Sequence, residues 1–455
     1  MKLTKLFLLP LLSVMALTGC QSAPSKNLPE GDIVFNITDR QISDFKGNPV
    51  NLKLWTPITG PDSGYLQNLV AKWNAKFGDY LKITSDPLSE KDHYVRIITS
   101  LSDNSTADLT LIHQSTVASY QKTGKLRPMD EMLSSAGIQK DQYLSTFWDK
   151  NVYDGHSYAL AYDLLPTLLF YNKKLIPEGF SEAMIQSEDF TVEKMREMMK
   201  AAYVHDNMTA KRTYGMAFNY AFTEKPFLSF LYEQGGKPVD AAQPTTALFN
   251  DEKGVAAATA LMNIPQTFNE SGKKVASESG ADHLDIFGRG RALFTIDGLW
   301  SSSDAIVHND YVDAGVAFLP KVAERSGNKK TYADSHCFVS FTNKNNSSHR
   351  DKAMSLVLQY FVDNSAYWCQ GGKVAVRNDT QQSEIYKKLE WSFASDHLSD
   401  ICLPESIYTY NSMVSLLGEY CSKLCEGTLP NGTLNSVQAV LDKCASESEE
   451  LAKKA

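Results

Sequence analysis

Cys20 is the residue whose surroundings most directly prescribe a reaction. Met1-Lys2-Leu3-Thr4-Lys5 is a basic start, Leu6 to Leu17 is apolar apart from Pro10 and Ser13, and Leu17-Thr18-Gly19-Cys20 closes the stretch. A basic start, an apolar run too short to span a bilayer and small residues at the cut describe a secretory signal. The closing tetrapeptide resembles a bacterial lipobox, whose cysteine thiol receives a diacylglycerol before cleavage ahead of it. Two acyl chains, at about 0.8 kcal/mol per buried CH₂, hold a protein stably to a membrane. The expectation is that residues 1–19 are removed and that the chain is anchored through Cys20 on the extracytoplasmic face of a bacterial cell membrane. The remaining cysteines, Cys337, Cys369, Cys402, Cys421, Cys425 and Cys444, form no Cys-x-x-Cys and have no accompanying histidine cluster. They are expected to be buried free thiols, with disulfides open as the alternative outside the cytoplasm, and with no metal and no cofactor.

Catalytic signatures are missing elsewhere. The chain has no Gly-x-Ser-x-Gly elbow, no His-Glu-x-x-His and no Walker A loop, and Gly288-Arg289-Gly290 lacks the third glycine of a dinucleotide fingerprint. Carboxylates are abundant, so a pair flanking a glycosidic bond stays open as an alternative, a surface glycan hydrolase or lyase. With 45 basic against 53 acidic residues, a net charge of −8, the surface repels nucleic acid and anionic lipid. Neither is an expected partner; the membrane is reached through the lipid anchor alone.

The elements that must position any site alternate between strand and helix. Residues 20–32 are polar and Pro-rich, a tether. Val50 to Trp55 alternates at the strand period, and Asp62 is placed to cap a helix with Leu66, Leu69, Val70, Trp73 and Phe77 on one face. Strands are expected at Leu81–Thr84, Ala107–Ile112, Leu168–Tyr171, Gly215–Asn219, Ala292–Ile296, Val316–Phe318 and Phe338–Phe341. Helices are expected at Ser115–Gln121, Thr191–Tyr203 and Arg350–Val362. A last helix, Leu434–Lys454, turns Leu434, Val437, Val440, Leu441, Cys444 and Leu451 to one face. The series predicts α/β layers with mainly parallel sheets, in two or three domains.

Several segments occur in an order that is similar to one family. They are Leu52-Lys53-Leu54-Trp55 with its helix, Asp108 to Leu111 running on to Gly124-Lys125-Leu126-Arg127-Pro128-Met129-Asp130, and Tyr153 to Leu160 followed by Leu169 to Leu175. Ala292 to Trp300, a strand-to-helix turn, and Gly371-Gly372 to Arg377-Asn378-Asp379 complete the series, the last without the usual proline at Val374-Ala375. The chain resembles the extracellular solute-binding proteins of ABC importers, specifically sugar-binding lipoproteins related to maltose-binding protein. That resemblance implies a two-lobe periplasmic-binding-protein-like fold (type II) with the ligand cleft between lobes and hinge crossings near 160–165, 318–333 and 374–380. Lobe one is then 33–162 with 333–376, and lobe two 163–332 with 377–455. It also implies a non-enzymatic monomer that captures a carbohydrate, an oligosaccharide foremost, and delivers it to ABC permease transmembrane subunits by hinge closure. A polyol, a phosphorylated polyol or a metal complex as cargo, and a sensor kinase as partner, stay open within the same class.

Sugars offer hydroxyls at their edges and C–H faces above and below, so their sites combine carboxylates and amides with aromatic rings. Trp55 ends the first strand, where α/β sheets place ligand crevices. Asp62 follows at the next helix, and Gln114 and Ser115 follow the Ala107–Ile112 strand. Asn219, Tyr220 and Glu224 combine amide, ring and carboxylate after a strand of lobe two. The resemblance adds Trp300 at the cleft turn, Asp163 after the first crossing, and His336 and Arg377 near crossings. Asp297 is expected to be structural, and Tyr360, Phe361, Tyr367 and Trp368, at helical spacing, to be core.

Overall fold

A computed structural model of the chain describes residues 33–206, 208, 212–277, 283–302, 309–324, 327–427 and 436–454. Cys20, the leader and the tether lie outside the described residues.

Thirteen strands occur among them: β1 (Val50–Thr56), β2 (Leu81–Pro87), β3 (Leu109–His113), β4 (Val152–Tyr153), β5 (His156–Ser157), β6 (Leu160–Ala161), β7 (Leu165–Asn172), β8 (Tyr214–Ala217), β9 (Ala292–Gly298), β10 (Ala314–Ala317), β11 (Thr331–Asp334), β12 (His336–Val339) and β13 (Ile401–Cys402). One sheet has the order β2-β1-β3-β12-β6. A second has β13-β11-β7-β9-β8, with β10 also on β7. A two-stranded ribbon joins β4 to β5.

The sheets are mixed, which corrects the expectation of mainly parallel pairing. β1 is parallel to β2 and β3, and β8 to β9, through helical crossovers. β12 runs antiparallel to β3 and β6, and β7 antiparallel to β9, β10 and β11. The reversals occur where the chain changes sheet. It leaves the first sheet after Ala161 and joins the second at Leu165, then returns across the single residue Ser335 between β11 and β12. Ser335 alone separates β11 from β12, so the two sheets are joined there without any intervening loop or helix.

Local chemistry accounts for the elements. In β1, Val50, Leu52 and Leu54 are buried while Asn51 and Lys53 are exposed. The helix Ser63–Phe77 buries Tyr65, Leu66, Leu69, Val70, Trp73 and Phe77 against this sheet, and the Trp73 indole donates to the Leu81 carbonyl at 2.7 Å. Thr191 caps Val192–Ala202 by accepting from the Lys194 amide. The helix Ser348–Asp363 buries Tyr360 and Phe361, and Tyr367 and Trp368 follow on the buried helix Ser365–Cys369. Tyr386 and Trp391 pack back on this region: the Trp391 indole donates to the Lys373 carbonyl at 3.0 Å.

The last helix is Val437–Ala452, with Val440, Leu441, Cys444 and Ala445 in the core. Leu451 is exposed, contrary to expectation, and Leu434 lies outside the described residues. Cys337, Cys369, Cys421, Cys425 and Cys444 are buried free thiols and Cys402 is a half-buried one. Burial pushes the thiols of Cys369 and Cys421 well above the usual range, so they stay protonated and inert.

Candidate functional site

A cleft of about 810 Å³ opens between the two sheets. Its walls come largely from segments that follow the carboxyl ends of strands: Pro57 to Asp62 after β1, Ser89 and Glu90 after β2, Ser115 and Thr116 after β3, Ala221, Phe222, Glu224 and Lys225 after β8, and Trp300 and Ser301 after β9. That is where α/β sheets leave side chains unpaired with a following strand, and hence available to a ligand. The helix Leu417–Glu426 contributes Gly418 and Glu419.

Five of the expected residues meet here: Asp62, Ser115, Glu224, Trp300 and His336. Asp62 does not cap its helix, which corrects that expectation. Its Oδ2 instead accepts from Lys373 Nζ at 2.6 Å, both side chains being almost wholly buried. Glu224 pairs with Lys225 at 3.0 Å. The Lys225 ammonium lies 4.2 Å from the Phe222 ring centroid and 5.4 Å from that of Trp300. Burial opposes the Lys225 charge, but Glu224 and Glu90 outweigh it and hold its pKa above the ordinary value. Trp300 meets Phe222 edge to face at 5.9 Å.

His336 begins β12, and its Nδ1 lies 2.8 Å from Asp163 Oδ2. Asp163 sits below the cleft rather than in its lining. It accepts also from the His336 amide and from the Trp368 indole, each at 2.8 Å. Complete burial would raise its pKa, yet His336 and Lys373 hold the carboxyl below its usual value.

The other expected residues lie outside this lining. Trp55 is buried with the Arg96 guanidinium 4.3 Å from its ring. Gln114 is turned inward, its amide nitrogen and oxygen both without a hydrogen-bond partner among the described residues. Asn219 lines a neighbouring recess of about 10 Å³. The Tyr220 hydroxyl donates to the Ser277 carbonyl at 3.4 Å. Arg377 forms a two-pronged pair with Asp379 and stacks on Tyr143.

The cleft also holds residues the sequence reading passed over, chiefly Glu90, Tyr94, His113, Phe222, Lys225, Tyr332 and Asp334. His113 is the last residue of β3, one position before the expected pair Gln114 and Ser115. The strand period would have found it, since alternate side chains of β3 share a face. Its Nδ1 lies 2.7 Å from the Tyr94 hydroxyl, and burial pulls its pKa down against the opposing pull of Glu90 and Asp334. Asp297, expected to be structural, reaches the cleft wall while its Oδ2 binds His283 Nε2 at 2.6 Å. Among the described residues no group of three or more metal-ligating side chains comes together.

Residues 58–353 match the family described as bacterial extracellular solute-binding protein. The chain belongs to that family. No curated protein sequence matches it. Among solved structures, the maltose/maltodextrin-binding domain from Bdellovibrio bacteriovorus bound to maltotriose superposes with a TM-score of 0.71 at 17% identity, over 89% of this chain and 99% of that one. An ABC transporter solute-binding protein from Thermotoga lettingae bound with alpha-D-tagatose gives 0.70 at 16% identity, over 88% and 99%. The cyclic alpha-maltosyl-1,6-maltose binding protein from Arthrobacter globiformis gives 0.64 at 16% identity, over 90% and 100%. At these identities the likeness is one of fold: this solute-binding protein has the two-lobe α/β architecture, with its cleft between open sheets. Its family places it outside the cytoplasm, and no helix among its described residues is long and apolar enough to cross a membrane.

Proposed function

We propose that this protein is a lipid-anchored receptor that captures a carbohydrate in the cleft and hands it to the transmembrane subunits of an ABC permease. The observation that carries the reading is the cleft itself. Its lining combines the rings of Trp300, Phe222, Tyr94 and Tyr332 with the carboxylates of Glu90, Glu224 and Asp334, the mixture that C–H faces and hydroxyl edges of a sugar require. Its volume of about 810 Å³ is near the upper end of the range of about 300–1,000 Å³ usual for small-molecule sites, which suits an oligosaccharide better than one ring. The solved relatives whose titles name maltotriose and a cyclic maltosyl-maltose support the same class.

The lobes of this reading are 33–162 with 333–376 and 163–332 with 377–455, hinged where the chain changes sheet, and closure brings Trp300 toward Ser115 and Glu90. The monomer is tethered through Cys20, and the tether keeps the cleft near its permease at high effective concentration. Titration calorimetry against mono- and oligosaccharides tests the capture: saturable heats are expected, without release of new reducing ends. Flat heats across a broad panel sink it. Labelled palmitate should enter the wild-type protein in cells and fail to enter Cys20→Ser.

A further inference from the structure

The charged groups of the cleft are not equally committed. Among its described lining, every cation is spoken for. Lys225 is paired with Glu224 at 3.0 Å, His336 with Asp163 at 2.8 Å and His283 with Asp297 at 2.6 Å. His113 is engaged by the Tyr94 hydroxyl at 2.7 Å. The carboxylates are mostly committed too: Asp62 to Lys373 at 2.6 Å, Glu419 to Lys423, and Asp334 to the amides of Ser115 and Ser335 at 3.2 and 2.8 Å.

Glu90 is the exception. Its side chain is 58% exposed, and its nearest charged partner is His113 Nδ1, 3.9 Å away and already hydrogen-bonded to Tyr94. It opens the helix Glu90–Leu101, where the helix N-terminus favours a negative charge. His113, foremost, together with Lys225 and His336, holds it ionised below the usual carboxylate range, outweighing its desolvation. A second, independent sign of an absent polar group is Ser301. This residue lines the same cleft at 1% exposure, and its hydroxyl has no partner among the described residues.

We propose that Glu90 selects a saccharide bearing a protonated amino group, so that the cargo is an amino-sugar oligosaccharide and not a uronate or a sugar phosphate. This rests on the carbohydrate reading above. Closing the cleft strips water from an unpaired carboxylate, and desolvating an ion costs several kcal/mol unless an opposite charge replaces the water. Hydroxyls satisfy its lone pairs but leave its charge; an ammonium satisfies both, through a charge-assisted hydrogen bond. An anionic sugar meets the reverse situation, with no unpaired cation to receive it and a like charge at Glu90.

Calorimetry of the whole protein with matched trimers tests this: glucosamine and galactosamine trimers, their N-acetylated forms, maltotriose and trigalacturonate. An amine trimer should bind at least about tenfold more tightly than its N-acetylated twin, and Glu90→Gln should bring the ratio close to one. Tighter binding of a neutral trimer or of the uronate, or a preference that survives Glu90→Gln, overturns the charge assignment and leaves carbohydrate capture standing. Flat heats with every trimer overturn both.

Discussion

The Trp300 indole folds back over Gly298: a Cβ on the glycine would lie 2.0 Å from two of the ring carbons. Both neighbours on the chain are fixed, Asp297 by His283 and by the Gly298 amide, and Leu299 by complete burial. The ring therefore occupies the space that a side chain at position 298 would take. Gly298→Ala is expected to expel the indole from its seat against Phe222. Ligand affinity should fall by about tenfold or more, because a stacked aromatic wall contributes on the order of 1 kcal/mol or more beyond its buried area. Calorimetry with the bound saccharide measures the loss, and a shifted tryptophan emission reports the displaced ring.

Lys373 and Asp62 form the other constraint on the cleft floor. Lys373 is wholly buried, and besides Asp62 its ammonium reaches the Gly371 carbonyl at 3.3 Å and lies 5.0 Å from the Trp368 ring centroid. The pair ties the segment after β1 to the loop after Cys369, 311 residues apart in sequence. Lys373→Met should cost about 3–5 kcal/mol, since it leaves a buried carboxylate without its counter-ion, whereas Asp62→Leu/Lys373→Met should recover most of that loss. Urea unfolding of the wild type and the two variants checks this; equal destabilisation of single and double variants would show that the pair itself carries stability.

Much of the fold was legible because burial on one face imposes a period. β1, the helix Ser63–Phe77 and the helix Val192–Ala202 lie close to their expected spans, and the aromatic run from Tyr360 to Trp368 is core as read. Strand direction was not legible, because a one-residue sheet change at Ser335 leaves no compositional mark. At the site, Glu224 was visible as a residue just beyond a strand end, and Trp300 through the family resemblance at its strand-to-helix turn. Their partners were hidden for a physical reason. Asp62 looks like a helix cap in sequence, and only tertiary contact with Lys373 reveals it as half of an ion pair. His113 was missed by one position at the end of β3, since the last strand residue faces the cleft while Gln114 turns into the core. Glu90 reads as an ordinary first-turn acid until the commitments of every other charge around it are known.

His93 supplies a pH dependence whose sign follows from its surroundings. The ring is fully buried, its Nε2 lies 2.9 Å from the Leu111 carbonyl, and its Nδ1 has no hydrogen-bond partner among the described residues. Burial, more than the Leu111 bond can offset, lowers its pKa to about 4 from an ordinary 6.5. The folded state therefore prefers the neutral ring and the unfolded state takes up the proton first. Stability from this group is complete above about pH 6.5 and declines as pH falls toward 4, by about 3 kcal/mol over the whole window. Urea unfolding free energies measured at pH 7, 5.5 and 4.5 should fall in that order. His93→Gln, which keeps a donor for Leu111 but takes up no proton, should reduce the slope between pH 6.5 and 4.5 to the part that His113, also lowered by burial, contributes, while leaving the loss at lower pH where carboxylates such as Asp163 take up protons. A slope unchanged by His93→Gln would assign the decline to other groups.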